Sequence, residues 1–416
     1  MSAPPAGPRG RSQWPVLLVA CALTVGMLAL PATPIAAADP TYEPYTYLDL
    51  RDSDGNPALV ADPSVIKVGS TWYLYPTHDV GRGFEVWTSD DLKSWTNRGF
   101  VWTPTPGSWN DEGKFWAPEI IEINGEYWMY YTANERIGVA KASSPLGPFV
   151  DALDHPLMGA GYGGVGDGNY TDPPGLLANN EEKAIDAFVL ETSSGELFFY
   201  ATNYNPIAEI VVMPMDDPVT LRGKPTTALG VDTSGWEVFV REAPVVFERN
   251  GIVHLMYSGQ GAESPCYSVG DATSTSPLGP FTRRVDNPIL RQSPDDGFFG
   301  PGHHGVVEGA NGDLLAFFHT KLSDEFSYDR RIRYAPMLFD SAGDVTFDPA
   351  PPGADVPVQP NCVLGGGSSA PTTTTTSATT LQPASPSSGN NAPSSADDAP
   401  GPTMVSNQPL APRFTG

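Results

Sequence analysis

Between residues 41 and 349 the chain alternates apolar and polar positions in short runs rich in Val, Tyr, Phe and Trp, and Asn-Gly, Asp-Gly and Ser-Gly pairs punctuate them. A period of two broken by glycine turns predicts strands joined as hairpins. Five stretches align: DPSVIKVGSTWYLYPT at 62–77, APEIIEINGEYWMYYT at 117–132, DAFVLETSSGELFFYAT at 186–202, APVVFERNGIVHLMYSG at 243–259 and HGVVEGANGDLLAFFHT at 304–320. Each reads as an apolar strand, a tight turn with Gly, and a second strand rich in aromatics. The starts lie 55, 69, 57 and 61 residues apart, enough for four strands and their loops. Further strands recur as IGVAKASSPLGPF at 137–149 and YSVGDATSTSPLGPF at 267–281. A β-sandwich whose hairpins match by chance would not place Ser-Pro-Leu-Gly-Pro-Phe identically in two units. The pattern predicts an all-β chain, a five-bladed β-propeller of four-stranded blades, which leaves only short protected edges.

The two ends break the pattern. Arg9 and Arg11, an apolar run from Val16 to Leu30, and Ala36-Ala37-Ala38 before Asp39 have the layout of a secretory signal over residues 1–38. The run is short for a membrane span, which needs about 20 residues, and no later stretch comes close. From 363 to 416 the chain is mostly Gly, Ser, Thr, Pro and Ala, a composition that cannot bury a core, so a disordered tail is expected. The catalytic propeller is assigned to 39–362, in a secreted, extracellular monomer.

Removal of the signal leaves 21 basic against 48 acidic residues, a formal charge of −27. Such a chain repels phosphate backbones and anionic lipid, so nucleic acid and membranes are poor partners and neutral polymers fit better. Two cysteines remain, Cys266 and Cys362, and an even count in an exported chain predicts one disulfide.

In a propeller one repeat position of every innermost strand converges on the axis. That position holds Asp62 in unit one, Trp116 and Ala117 in unit two, Asp186 in unit three, Glu242 one residue earlier in unit four, and His303 and His304 in unit five. An Asp before Pro commonly starts a strand or caps a turn, so Asp62 alone says little. Three acids sharing one cavity cost free energy unless protons, a cation or a substrate compensate, and such clusters are where titration is perturbed. Hydrolysis of a glycosidic bond needs one protonated and one ionised carboxyl, and a third can raise the pKa of the acid by like-charge repulsion.

Ala-Asp62-Pro-Ser, Trp116-Ala-Pro-Glu119, Ile-Asp186-Ala-Phe, Arg-Glu242-Ala-Pro and Gly-Pro-Gly-His303-His304 resemble, in order and spacing, the motifs of glycoside hydrolase family 43 over about residues 45 to 348. The resemblance implies a five-bladed propeller and an inverting mechanism. In it Asp62 is general base, Asp186 pKa modulator, Glu242 general acid and Trp116 a wall of the sugar pocket. It implies a histidine beneath the site, matched by His303, associated with a calcium or sodium ion and contacting substrate, and no organic cofactor. The third unit has Asp186-Ala187 where the family has Asp-Pro, the doubled histidine leaves His303 and His304 open, and the sugar-contacting arginine is one of Arg330, Arg331 and Arg333. The substrate expected is an arabinose- or xylose-containing plant polysaccharide or oligosaccharide, with arabinofuranosidase or arabinanase ahead of β-xylosidase. The alternative is a non-catalytic carbohydrate-binding propeller, and a fructan-directed enzyme would need Asn-Asp-Pro-Asn where this chain has Ala61-Asp62-Pro63-Ser64.

Other signals lead elsewhere. Gly161-Tyr-Gly163-Gly-Val-Gly166 fits a dinucleotide fingerprint but runs into Asp-Gly-Asn-Tyr-Thr-Asp-Pro-Pro, which opens no helix. Asp52-Ser-Asp54-Gly-Asn56 lacks the glycine and the twelfth-position Glu of a calcium loop and reads as a turn. His78, His155, His254 and His319 have no metal-ligand spacing and read as packing or surface residues, and Trp87, Trp95, Trp102 and Trp109 read mainly as core. Serine-hydrolase and zinc-protease motifs are missing.

Overall fold

The computed structural model describes residues 44–159, 162–163 (backbone only), 183–204, 208–232, 235–238, 240–310 and 312–352. The expected signal, the tail, Cys362 and most of the glycine-rich stretch at 161–166 lie outside them.

Five antiparallel sheets form five blades. Their first strands are Ala61–Val68, Phe115–Ile123, Lys183–Glu191, Arg241–Arg249 and Phe299–Glu308. Each first strand contacts those of both neighbours, and the fifth returns to the first, so these five line the axis of a closed ring. Blades one, four and five have four strands in sequence order, while two and three carry extra short strands at their outer edges.

Apolar clusters fill the seams between blades. Tyr75 and Val86 of blade one meet Met129 and Tyr131 of blade two, and Tyr200 of blade three meets Leu255 and Tyr257 of blade four. The repeated Ser-Pro-Leu-Gly-Pro-Phe has a role here: the hydroxyls of Tyr75 and Tyr200 donate to the carbonyls of Pro145 and Pro277 in the next blade. A buried tyrosine needs such a partner for its hydroxyl. The ring closes through the N-terminal segment, whose Tyr45, Leu48 and Val60 N–H groups donate to Tyr334, Ile332 and Arg330 of blade five.

Every first strand carries a β-bulge near its start, and at each of them a non-glycine residue has positive φ: Asp62 (50°), Ala117 (46°), Asp186 (55°), Ala243 (55°) and His303 (39°). A bulge bends the strand and re-aims its side chains, and left-handed backbone outside glycine marks a locally over-determined site. The bulge puts His303, not His304, at the repeat position, one residue before the unit-five alignment drawn from sequence. Glu242 and Trp116 each stand one residue ahead of a bulge, cross-strand from Ser258 and Thr132.

Candidate active site

The bulges gather the predicted residues at one end of the axis. Asp62, Trp116, Asp186, Glu242 and His303, 241 residues apart at the extremes, line a single cavity of about 230 Å³. All three acids are buried. A buried carboxylate without partners is costly, so the partners of each decide its state.

Asp62 is the one of the three acids that pairs with an arginine among the described residues. Arg330 Nη1 donates to its Oδ1 at 3.0 Å, and the Nδ1 atoms of His319 and His303 lie 3.2 and 3.4 Å from the same oxygen. Burial alone would raise its pKa; Arg330, His303 and His319 reverse this and hold Asp62 well below the usual carboxylate range. The Asp62 N–H also points at His319 Nδ1, at 3.4 Å. Burial pushes the His319 pKa down to about 3.

Glu242 has the opposite environment. Its Oε2 accepts from the Tyr204 hydroxyl at 2.8 Å, and no cation pairs with it among the described residues. Burial pushes its pKa up to about 7, partly offset by the hydroxyls of Tyr267 and Tyr204 and reinforced by the charges of Glu263 and Asp62. Asp186 is raised well above its ordinary value, first by burial and then by the charges of Glu242 and Asp62. Its Oδ2 accepts the N–H of Ala243 at 3.1 Å and lies 3.8 Å from His303 Nδ1. The two raised acids are therefore linked through the backbone of the residue after Glu242.

The open choices of the sequence resolve by position. His303 faces Asp62 and Asp186, whereas His304 is buried with both ring nitrogens unpartnered among the described residues. Of the three arginines, Arg330 lines the cavity; Arg331 and Arg333 pack on Tyr47. His319, read as packing, stacks on Tyr267 and reaches Asp62. Sequence missed it because its signal was register: it stands opposite Gly302 as Thr77 stands opposite Ala61. Tyr204 and Glu263 were missed as well. Trp87 and Trp102 are core residues, Trp95 and Trp109 are half-buried, and none of the four lines the cavity.

Among the described residues no three His, Cys, Asp or Glu side chains group as a metal-holding set. Asp52 Oδ1 accepts the N–H groups of Asp54 and Asn56, the turn expected there. Cys266 is disulfide-bonded; its expected partner, Cys362, is outside the described residues. No helix among the described residues is long and apolar enough to cross a membrane.

Comparison with known proteins agrees with this geometry. The chain is 26% identical over 313 residues to a β-D-galactofuranosidase of Aspergillus niger, covering 70% of this chain and 84% of that one. It is 26% identical over 290 residues to an extracellular endo-α-(1→5)-L-arabinanase of Bacillus subtilis, covering 62% and 79%. A thermostable family-43 glycoside hydrolase of known crystal structure superposes with a TM-score of 0.61 at 29% identity, covering 73% of this chain and 96% of that one. The family model described as "Glycosyl hydrolases family 43" matches residues 56–166 and 165–344, so the chain belongs to that family and is a glycosidase.

Proposed function

We propose that the protein is an inverting hydrolase of arabinose- or xylose-containing plant polysaccharides, with Asp62 as general base, Glu242 as general acid and Asp186 as the residue that holds the acid in place and in its protonated form. The observation that carries this reading is the opposite treatment of two carboxyls in one cavity: Asp62 is held ionised by Arg330, while Glu242 is pushed up to about 7. Carboxyls whose environments push their pKa values apart take the base and acid roles.

In this mechanism Asp62 accepts a proton from a water whose oxygen bonds to the anomeric carbon on the face of the sugar opposite the leaving group. Glu242 gives its proton to the glycosidic oxygen as that bond breaks. The proton lost by water ends on Asp62, the proton of Glu242 leaves with the alcohol, and exchange with solvent resets both. Neutrality of the polymer fits the acidic chain, for which a polyanion would be repelled. The arabinanase relative, named extracellular, supports arabinan over xylan and secretion after loss of residues 1–38. The β-D-galactofuranosidase relative supports a second reading, a galactofuranoside substrate.

Nitrophenyl α-L-arabinofuranoside, β-D-xyloside and β-D-galactofuranoside, with linear and debranched arabinan and xylan, separate these readings. Arabinose release from arabinan is expected, with the first-formed sugar, read by proton NMR, of inverted anomeric configuration. A retained anomer removes the base role of Asp62, and turnover of the galactofuranoside alone replaces the pentosan reading.

A further inference from the structure

Four carboxylates border the cavity, and three have work visible in the fold: Asp62 is bonded to Arg330, Asp186 to the Ala243 N–H, and Glu242 to the Tyr204 hydroxyl. The fourth is Glu263, half-buried in the wall on the loop that follows Ile252–Gly259, the strand paired with the one bearing Glu242. Its carboxylate has no hydrogen-bond or ion-pair partner among the described residues. The nearby cations are committed: Lys321 Nζ donates to the Ser327 carbonyl and Arg330 Nη1 to Asp62.

Nor does the loop need this carboxylate to keep its shape. Its backbone is fixed by Gln260 N to Glu237 O (3.1 Å), Ser264 N to Gly261 O (2.8 Å), Gly300 N to Pro265 O (2.7 Å) and Ser327 N to Glu263 O (3.1 Å). The carboxylate lies against Gly261, where any Cβ would overlap its oxygens. Glycine at 261 therefore leaves the room in which the carboxylate sits.

We propose that Glu263 is a specificity-determining residue of this reaction, its carboxylate accepting hydrogen bonds from hydroxyl groups of the sugar on the leaving-group side of the scissile bond. Sugar hydroxyls are donors, and an ionised acceptor in a partly desolvated wall binds them more strongly than a neutral one. The side follows from its neighbours, and this step rests on the reading of Glu242 as general acid. The charge of Glu263 is felt by Glu242, Tyr204, Lys321 and Tyr328, whereas Asp62 is governed by Arg330, His303 and His319. Glu263 thus stands by the acid that meets the leaving oxygen. Half-exposed Tyr328 lines the cavity beside it, its ring 5.5 Å from the Arg330 guanidinium, and completes a wall with both an acceptor and an aromatic face.

The test is equilibrium binding in an Asp62→Ala background, where turnover does not consume the probe. Titration calorimetry compares arabino- and xylo-oligosaccharides of three sugars with free arabinose and xylose. Glu263→Gln is expected to weaken the oligosaccharide about tenfold or more, the usual loss for a hydrogen bond to a charged group, and the monosaccharide less than twofold. Gly261→Ala, which keeps the charge but displaces the carboxylate, is expected to give the same selective loss, and decides the matter if Glu263→Gln does not fold. Equal weakening of mono- and oligosaccharide puts Glu263 around the sugar being cleaved and overturns the proposal; so does unchanged binding in both variants. Binding of no pentose oligosaccharide by the Asp62→Ala protein overturns it together with the pentosan reading. Failure of the acid assignment shows separately, in turnover: Glu242→Ala would then lose as much on an activated nitrophenyl glycoside as on an oligosaccharide.

Discussion

At the seam between the fourth and fifth blades the bulge N–H of His303 donates to the Ser258 hydroxyl at 2.9 Å, whereas between the third and fourth the bulge N–H of Ala243 donates to a carboxylate, Asp186 Oδ2, at 3.1 Å. The other seams follow the first pattern: Ala117 N reaches Thr77 Oγ1 at 2.8 Å, Asp186 N reaches Thr132 Oγ1 at 3.2 Å, and Asp62 N reaches His319 Nδ1. The residue equivalent to these acceptors in blade three is Thr202, opposite Ile185, and its hydroxyl is buried without a partner among the described residues. In this one seam an active-site acid has taken the place of a scaffold hydroxyl. The bulge it fastens is the one that follows Glu242. Asp186 is thus tied to the backbone of the residue after Glu242, and the Thr202 hydroxyl is left without a partner among the described residues.

The largest expected effect comes from separating the two jobs of Asp186. Asp186→Ala removes both the acceptor and the charge, and turnover is expected to fall by about a hundredfold or more, the usual contribution of a positioned acid, with a lowered melting temperature. Asp186→Asn keeps an oxygen for the Ala243 N–H and removes only the charge, so the melting temperature should hold while the pH profile changes. The charges of Glu242 and Asp186 oppose each other, so removing the one at 186 is expected to let Glu242 lose its proton at lower pH. The alkaline limb of kcat/KM accordingly moves to lower pH. Equal melting losses in the two variants would show that the clasp does not depend on an oxygen at 186.

A smaller effect is expected at an ordinary seam. Ser258→Ala leaves the buried N–H of His303 without its acceptor, which costs about 1–3 kcal/mol. Urea unfolding with an unchanged m-value reads this directly. A loss below about 0.5 kcal/mol would mean that the hydroxyl clasps are incidental to blade docking.

The five blades were legible because a strand-turn-strand repeat with aromatics in its second strand survives in all five units. The three acids were legible because Asp62 and Asp186 fall at one repeat position and Glu242 one residue ahead of it. What was not legible depends on register. Thr77, Thr132, Thr202, Ser258 and His319 occupy one structural position, but a histidine in place of a hydroxyl hides the fifth member in a linear alignment. The choice among Arg330, Arg331 and Arg333 turned on strand alternation at the seam, where Arg331 and Arg333 face Tyr47 and Arg330 faces Asp62. Glu263 sits in a loop outside the repeat, where periodicity carries no information.

The smallest expected effect is the most discriminating for the seam comparison. Thr202→Val keeps the volume of the side chain and removes a buried hydroxyl that has no partner among the described residues. Leaving a buried polar group unpaired is unfavourable, so its removal should be neutral or slightly stabilising, within about 0.5 kcal/mol, with kcat/KM and its pH profile unchanged. Thr132→Val, the same chemical change one seam earlier, strips the acceptor from the Asp186 N–H and should cost about 1 kcal/mol or more. The two variants differ only in whether a backbone donor is waiting for the hydroxyl. If Thr202→Val is as destabilising as Thr132→Val, the Ala243 N–H spends its time on Thr202 instead of Asp186. The acid at 186 would then be free of the scaffold, and the seam between blades three and four would be ordinary after all.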